Sequence, residues 1–340
     1  MNQQKKCLRV GILAIAAAVC LRFFSQVQLE PLVEGLLNTP LSQLLLCLET
    51  GRPLPGKDDP PVPEPVIQTL FPEPALSYFP ESPPPVPPPL PFFGDPAVLD
   101  LRYLCGYRPD LGALLRRPLD WDLASGAPTV LIFHTHTTES YEKGAHSYIE
   151  SAPYRTLDPA YNMLAIGDRI TDLLETQGIV TLHDRQFHDY PDYNGCYGRT
   201  RASVQDYLRE FPSLRLILDL HRDASDGSAG QLRTLAKIGD RDSAQLMLVV
   251  GSNAGGSSHR GWADNLSLAL KLQAQLETQC PGIVRPLSLR SQRFNQDLSP
   301  GALLIEVGGA GNSLEEALLA ADQLARAIGA LSRGTADPPA

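Results

Sequence analysis

The sequence predicts an α/β fold, a mostly parallel sheet flanked by helices, preceded by an N-terminal membrane anchor and a proline-rich linker. Three observations predict it. Between residues 127 and 333, short aliphatic runs alternate with helix-period segments, the pattern of strand–helix–strand units. Three of those runs stop abruptly at His, Glu or Asp, and in such sheets functional groups gather at the carboxyl ends of strands. Ahead of this region lie an apolar stretch bracketed by basic residues and then more than half of the 31 prolines.

Residues 1–7 form a short basic tail, and Lys5, Lys6 and Arg9 precede the run Val10–Leu21, with Arg22 after it. With both arginines snorkelling, residues 8–24 are long enough to cross a bilayer, and the positive flank sets the N-terminus in the cytoplasm and the remainder outside. No small-residue cleavage site follows, so an uncleaved single-pass anchor is expected. Residues 25–51 carry leucines at helical spacing and end at Gly51, a juxtamembrane helical segment. Residues 52–97 are a proline-rich linker that favours extended polyproline II, about 3.1 Å per residue, and so would reach on the order of 100 Å. Residues 98–126 lead in to the catalytic region, 127–333, and residues 334–340 form a tail.

Within 127–333 the elements read in order. Thr129–Phe133 is a strand. Ala160–Gly178 is a helix with Leu164, Ile166, Ile170, Leu173 and Leu174 as its apolar stripe and Gly178 as its stop. Ile179–Leu182 is a strand, Arg199–Phe211 a helix stopped by Pro212, Leu214–Leu220 and Gln245–Val250 strands. Asp264–Gln279 is a helix ended by Pro281-Gly282, Ala302–Val307 a strand, and Ser313–Ser332 a helix that starts on a Ser cap with Glu315 and Glu316 in its first turn.

Composition excludes some functions. The net charge is −9 and no Lys/Arg cluster appears in 127–333, which argues against nucleic acid. The six cysteines include no C-x-x-C pair, which argues against a thiolate zinc knuckle. Cys47, Cys105, Cys196 and Cys280 are available for disulfides, but no spacing demands one.

The strand ends carry the chemistry. The first reads His134-Thr135-His136-Thr137-Thr138-Glu139-Ser140, the second Asp219-Leu220-His221-Arg222-Asp223, and the third Leu304-Ile305-Glu306-Val307-Gly308. A catalytic zinc takes three ligands from His and Asp/Glu and keeps one position open. His136, Glu139 and His221 supply such a set. Glu306 is left free to act as the proton-transferring carboxylate, and a carboxylate inside a strand this apolar is expensive unless paired or catalytic. His134 either ligates the metal or lines the site. Arg222 and Asp223 either contact substrate or form a structural ion pair. Asn295 and Asp297 either contact substrate or make the turn that ends at Pro300. His183, His188 and His259 are assigned to the surface or rim, and Tyr141, Tyr161, Tyr193 and Tyr197 are available to line a sugar–peptide groove.

These motifs, with Phe294-Asn295-Gln296-Asp297-Leu298-Ser299-Pro300 before the last strand, resemble the stage II sporulation protein P family over about residues 129–331. Leu304–Ala317 is also similar to the end of zinc-dependent N-acetylmuramoyl-L-alanine amidases. Where those amidases carry a downstream glutamate, this chain has Ala160, Tyr161 and Asn162, none a carboxylate. The resemblance implies a zinc peptidoglycan hydrolase, an amidase with endopeptidase activity, that thins the septal wall during engulfment in sporulation. It implies His136 or His134, Glu139 and His221 as zinc ligands and Glu306 as the catalytic carboxylate. It also implies a septal lytic transglycosylase and a small membrane protein as partners, with the catalytic domain on the outer side of the membrane. Two rival readings remain: a zinc carboxypeptidase or endopeptidase acting on peptides only, and a non-catalytic wall-binding scaffold.

Overall fold

A computed structural model describes residues 99–335 apart from 145, 147 and 225–230. The tail, anchor, juxtamembrane segment and proline-rich linker expected over 1–97 lie outside the described residues, as does 336–340. Among the described residues no helix is long and apolar enough to cross a membrane.

The architecture is α/β. A seven-stranded sheet has the order β1-β10-β9-β11-β6-β2-β5, from β1 (Leu101–Tyr103), β2 (Val130–Phe133), β5 (Thr181–His183), β6 (Leu216–Asp223), β9 (Leu246–Val250), β10 (Leu287–Leu289) and β11 (Ala302–Gly309). Every adjacent pair is parallel except β11 with β9. Two small hairpins, β3 (Glu150–Ala152) with β4 (Arg155–Thr156) and β7 (Leu235–Ile238) with β8 (Arg241–Ala244), stand apart from it. Residues 101–103, read from sequence as lead-in, are thus the outermost strand on one side, paired with β10 alone.

The helices are α1 (Leu111–Leu115), α2 (Met163–Thr176), α3 (Cys196–Glu210), α4 (Trp262–Gln279) and α5 (Leu314–Ala330). Strand alternation divides the core between two faces. Val130 and Ile132 of β2 join Leu216, Leu218, Leu303 and Ile305 under the apolar faces of α2, α4 and α5. Leu131 and Phe133 turn the other way, with Ile217 and Ala302, against Val204, Tyr207 and Leu208 of α3. Helices therefore cover both faces, as the alternation of segments predicts. The ends follow local chemistry. The Asn162 side chain accepts from Leu164 N–H to start α2, and Gly178 follows it at φ 77°. Ser313 and Glu316 form a reciprocal capping box on α5. Cys105, Cys196 and Cys280 are free thiols.

β11 and β6 approach closely where β11 begins. The Gly301 carbonyl accepts from Ile217 N–H at 2.9 Å, and a Cβ on Gly301 would lie 1.8 Å from the Arg215 carbonyl oxygen. Backbone cannot yield as a side-chain tip can, so Gly301→Ala is expected to lower the unfolding free energy by about 2 kcal/mol or more, read from the denaturant midpoint.

A buried lysine lies outside the site. Lys271 of α4 is 1 % exposed, and its ammonium donates to Leu114 O at 3.1 Å and Ser267 Oγ at 2.9 Å. Burial, reinforced by Arg117, pulls its pKa down to about 8. The unfolded lysine keeps its proton to about 10.4. Between those values the unfolded chain binds more protons, so stability rises with pH. The rise is on the order of 3 kcal/mol and is expected to vanish in Lys271→Met, compared by urea titrations at pH 8 and 10.5.

Candidate metal centre

The centre is assembled where β2, β6 and β11 end side by side. Asp219 and His221 are two residues apart on β6 and therefore project from the same face. Glu306 of β11 is in register with His221, and the β11–β6 register shifts between Glu306 and Gly309. Glu306 is thus the last regular partner before a bulge, a common device for re-aiming side chains beside active sites.

The turn after β2 is held by its threonines. Thr135 donates its N–H to Asp219 Oδ1 at 2.8 Å and its hydroxyl to Oδ2 at 2.6 Å. Thr138 donates its hydroxyl to Asp189 Oδ2 at 2.6 Å, and Thr137 donates to Gln186 O at 2.8 Å. Residues 134–140 are nearly all buried, and the turn closes with Glu139 N–H on His136 O at 3.1 Å. So tied, the turn presents His136 and Glu139 to His221.

Ligand atoms of His136, Glu139 and His221 all lie within 4.8 Å of one another. His221 Nδ1 is 3.5 Å from Glu139 Oε2, and the two imidazole rings meet edge to face at 5.1 Å. Glu139 Oε2 also accepts from Arg222 N–H at 3.2 Å, while Oε1 faces the guanidinium groups of Arg155 at 3.4 Å and Arg222 at 3.9 Å. Oε2 is therefore the oxygen turned toward the cluster.

The electrostatics follow from this crowding. Burial opposes ionisation of Glu139 but is outweighed by His221, Arg222 and His136, which bring its pKa to about 2. Burial works against a charge on His221 too, yet Asp219 and Glu139 together raise it well above the usual imidazole value. His136 is lowered, chiefly by burial. Burial lifts Glu306 to about 7, with Glu139 and Asp223 adding to the rise and His221 opposing it.

Two imidazoles and a carboxylate make the donor set of a catalytic zinc site with one position open. Two further details fit a cation. Glu306 Oε2 is buried without a hydrogen-bond partner. His221 Nε2, though 2.9 Å from Asp219 Oδ1, lacks the alignment of a hydrogen bond.

The other candidates stand outside this cluster. Both ring nitrogens of His134 are engaged, Nδ1 with Leu220 O at 3.1 Å and Nε2 with His183 Nε2 at 2.8 Å. Burial, then His183, depresses its pKa to about 3. Arg222 spends its guanidinium on Ser140 O at 3.0 Å and Tyr154 O at 2.9 Å, and Asp223 pairs with Arg285 at 2.9 Å. Asn295 donates to Tyr197 O at 2.8 Å, and Asp297 takes a two-pronged pair from Arg201 at 2.9 and 2.8 Å. His188 and His259, expected at the surface or rim, are buried. His188 pairs with Asp184 at 3.1 Å, while His183 bridges His134 and Asp168.

Sequence reasoning missed Asp219 and Asp189, the carboxylates that fix the turn, and Arg155, which bonds Asp189 Oδ2 at 2.7 Å. For Asp219 a signal existed, since strand periodicity places it on the face of His221. Of the four tyrosines, Tyr193 and Tyr197 reach the centre. Tyr193 stacks on His136 at 4.8 Å and Tyr197 meets its edge at 5.8 Å. Burial raises both phenols. Tyr141 is buried, donating to Val307 O at 2.9 Å, and Tyr161 stacks on Tyr148.

The family described as stage II sporulation protein P matches residues 102–329. Stage II sporulation protein P of Bacillus subtilis (strain 168) is 31 % identical over 210 residues, which are 58 % of this chain and 49 % of that protein. The chain therefore spans about half the length of the curated relative it matches. Among solved structures, the N-acetylmuramoyl-L-alanine amidase from Clostridium difficile 630 aligns over 60 % of this chain and 94 % of its own, with 16 % identity and a TM-score of 0.36. The CwlD amidase from Clostridioides difficile, solved in complex with the GerS lipoprotein, aligns over 59 % and 94 % with 14 % identity and a TM-score of 0.35.

Proposed function

The chain belongs to the stage II sporulation protein P family, and from that membership we propose that it is a zinc-dependent peptidoglycan hydrolase of sporulating cells. Its reaction is that of an N-acetylmuramoyl-L-alanine amidase, with endopeptidase activity on cross-links. Residues 8–24 anchor it in the septal membrane with residues 127–333 on the outer side, and it works beside a lytic transglycosylase and a small membrane protein. The observation that carries the reading is the meeting of His136, Glu139 and His221 beside Glu306, whose Oε2 is buried without a hydrogen-bond partner. The similarity of Leu304–Ala317 to the closing stretch of zinc amidases supports the choice of bond.

A zinc ion held by His136, Glu139 and His221 would supply a Lewis acid for the scissile carbonyl and make the attacking water more acidic. Glu306 takes the proton from that water and delivers it to the amine nitrogen as the C–N bond of the amide breaks. Its raised pKa suits both halves of the exchange near neutral pH. Asp219 stands 2.9 Å from His221 Nε2 and, through Thr135, fixes the turn that bears His136. Arg155 and Arg222 hold Glu139 ionised and oriented.

Digestion of purified sacculi by the full-length, zinc-loaded protein, with mass spectrometry of the released ends, tests the reading. Intact sugars bearing free lactyl carboxylates are the expected product. New peptide termini alone would replace the amidase with a peptidase, and wall binding without cleavage would leave the scaffold.

A further inference from the structure

Tyr193 lies on the loop that leads into α3, and the loop is built to hold it. The Arg199 guanidinium donates to three carbonyls of the segment, His188 O at 2.7 Å, Asn194 O at 3.0 Å and Asp192 O. The Tyr193 ring lies parallel to His136 within 7° at 4.8 Å, and the Arg155 guanidinium sits over it at 5.0 Å from the ring centroid. A tyrosine that is 51 % exposed thus contacts both a candidate metal ligand and a cation that is itself fixed to Asp189 and Thr138. Its hydroxyl stands 3.2 Å from His136 Nε2, the ring nitrogen turned away from Cys196, whose sulfur faces Nδ1 at 3.8 Å. No other hydrogen bond engages that hydroxyl among the described residues. With a cation held by His136, Glu139 and His221, the phenol would stand beside the donor set with its proton free to donate.

We propose that Tyr193 is a catalytic residue whose hydroxyl donates a hydrogen bond to the carbonyl oxygen of the scissile amide as that oxygen takes up negative charge. The assignment rests on reading the centre as an amide hydrolase. Glu306 accounts for the water proton and the leaving amine but offers nothing to the carbonyl oxygen, and donors set in advance where charge develops are the strongest contributors to such reactions. The phenol keeps its proton throughout. The water oxygen bonds to the carbonyl carbon, one water proton passes through Glu306 to the amide nitrogen, and the C–N bond breaks to leave a carboxylic acid and a free amine. Arg155 is a positioning residue, since it touches the ring and not the reacting atoms.

Tyr193→Phe keeps the stacked ring and removes only the oxygen. Full-length wild-type and Y193F proteins are compared in zinc affinity, in affinity for a phosphinate dipeptide whose tetrahedral oxygens mimic the charged intermediate, and in wall hydrolysis. The variant is expected to bind the phosphinate roughly 30- to 100-fold more weakly and to lose about 10²- to 10³-fold in kcat, with KM and zinc affinity within about twofold of wild type. Equal phosphinate affinity in the two proteins would overturn the proposal. So would a tenfold loss of zinc affinity, because the hydroxyl would then act on the cation or on His136. A wild type that leaves sacculi intact while binding the phosphinate more tightly than Y193F would remove the peptidoglycan substrate and uphold Tyr193.

Discussion

Glu306→Gln is expected to reduce wall hydrolysis by about 10³- to 10⁴-fold while zinc content stays at the wild-type level. The substitution preserves shape and removes the ability to accept a proton. Glu306 is the sharpest residue for this test because it follows Leu303, Leu304 and Ile305 in a strand whose neighbours are buried, and one of its oxygens has no partner. A carboxylate there is unfavourable for folding, so the variant should be at least as stable as wild type. The pH dependence has a definite sign. Burial, with Glu139 and Asp223, holds Glu306 near 7 in the protein without a cation. A dication held by His136, Glu139 and His221 favours the ionised form and moves the value lower. Below its pKa the group is already protonated and cannot act as base, so kcat/KM should fall tenfold per unit of acid, with a midpoint at or below about 7. Full activity in Glu306→Gln, measured as muropeptide release, would sink the assignment.

His221→Ala should abolish both metal and reaction. Zinc measured by mass spectrometry of the native protein is expected to fall from about one ion per chain to nearly none, with hydrolysis at background. His221 also has a role without the cation, because it lies between the buried carboxylates Asp219 and Glu139, which raise its pKa well above the usual value. A cation must therefore displace its proton, and calorimetry in buffers of different ionisation enthalpy should register proton release on zinc binding. Affinity then climbs with pH until His221 is neutral. Removing the imidazole leaves two buried negative charges facing one another, and in chelator the variant should lose about 3 kcal/mol of stability. A variant that keeps stoichiometric zinc would show that the three donors do not act together.

The sheet was legible where apolar runs were long enough to announce themselves. β2 and β9 fall inside runs visible in the sequence, β6 and β11 begin within such runs and continue past them to Asp223 and Gly309, and the polar residues at the ends of the runs marked His136, Glu139, His221 and Glu306. Helix ends were legible where a cap was local, as at Ser313 and Gly178. β1 and β10 were not, because three residues carry no period of their own and are made strands only by pairing with each other and with β9. The reversed direction of β9 was hidden for the same reason, since strand direction is fixed by partners far along the chain. Around the centre, the turn threonines looked like filler, because Asp219 and Asp189, which hold them, lie 84 and 51 residues away. For His134 the sequence left ligating the metal and lining the site both open, and in the structure its two ring nitrogens are engaged by Leu220 O and His183. Arg222 is adjacent to a ligand in sequence, yet its guanidinium donates to the backbone carbonyls of Ser140 and Tyr154 while standing 3.9 Å from Glu139 Oε1.

β1 gives the domain an asymmetry under load. It is the first described strand and also the hem of the sheet, three residues long and stitched to a single neighbour. Tension arriving along the chain from ahead of residue 99 would meet that hem first and peel it, with β10 and β9 still standing between the tear and β11. The molecule can thus yield mechanically at one border while the corner that bears His136, Glu139, His221 and Glu306 keeps its shape.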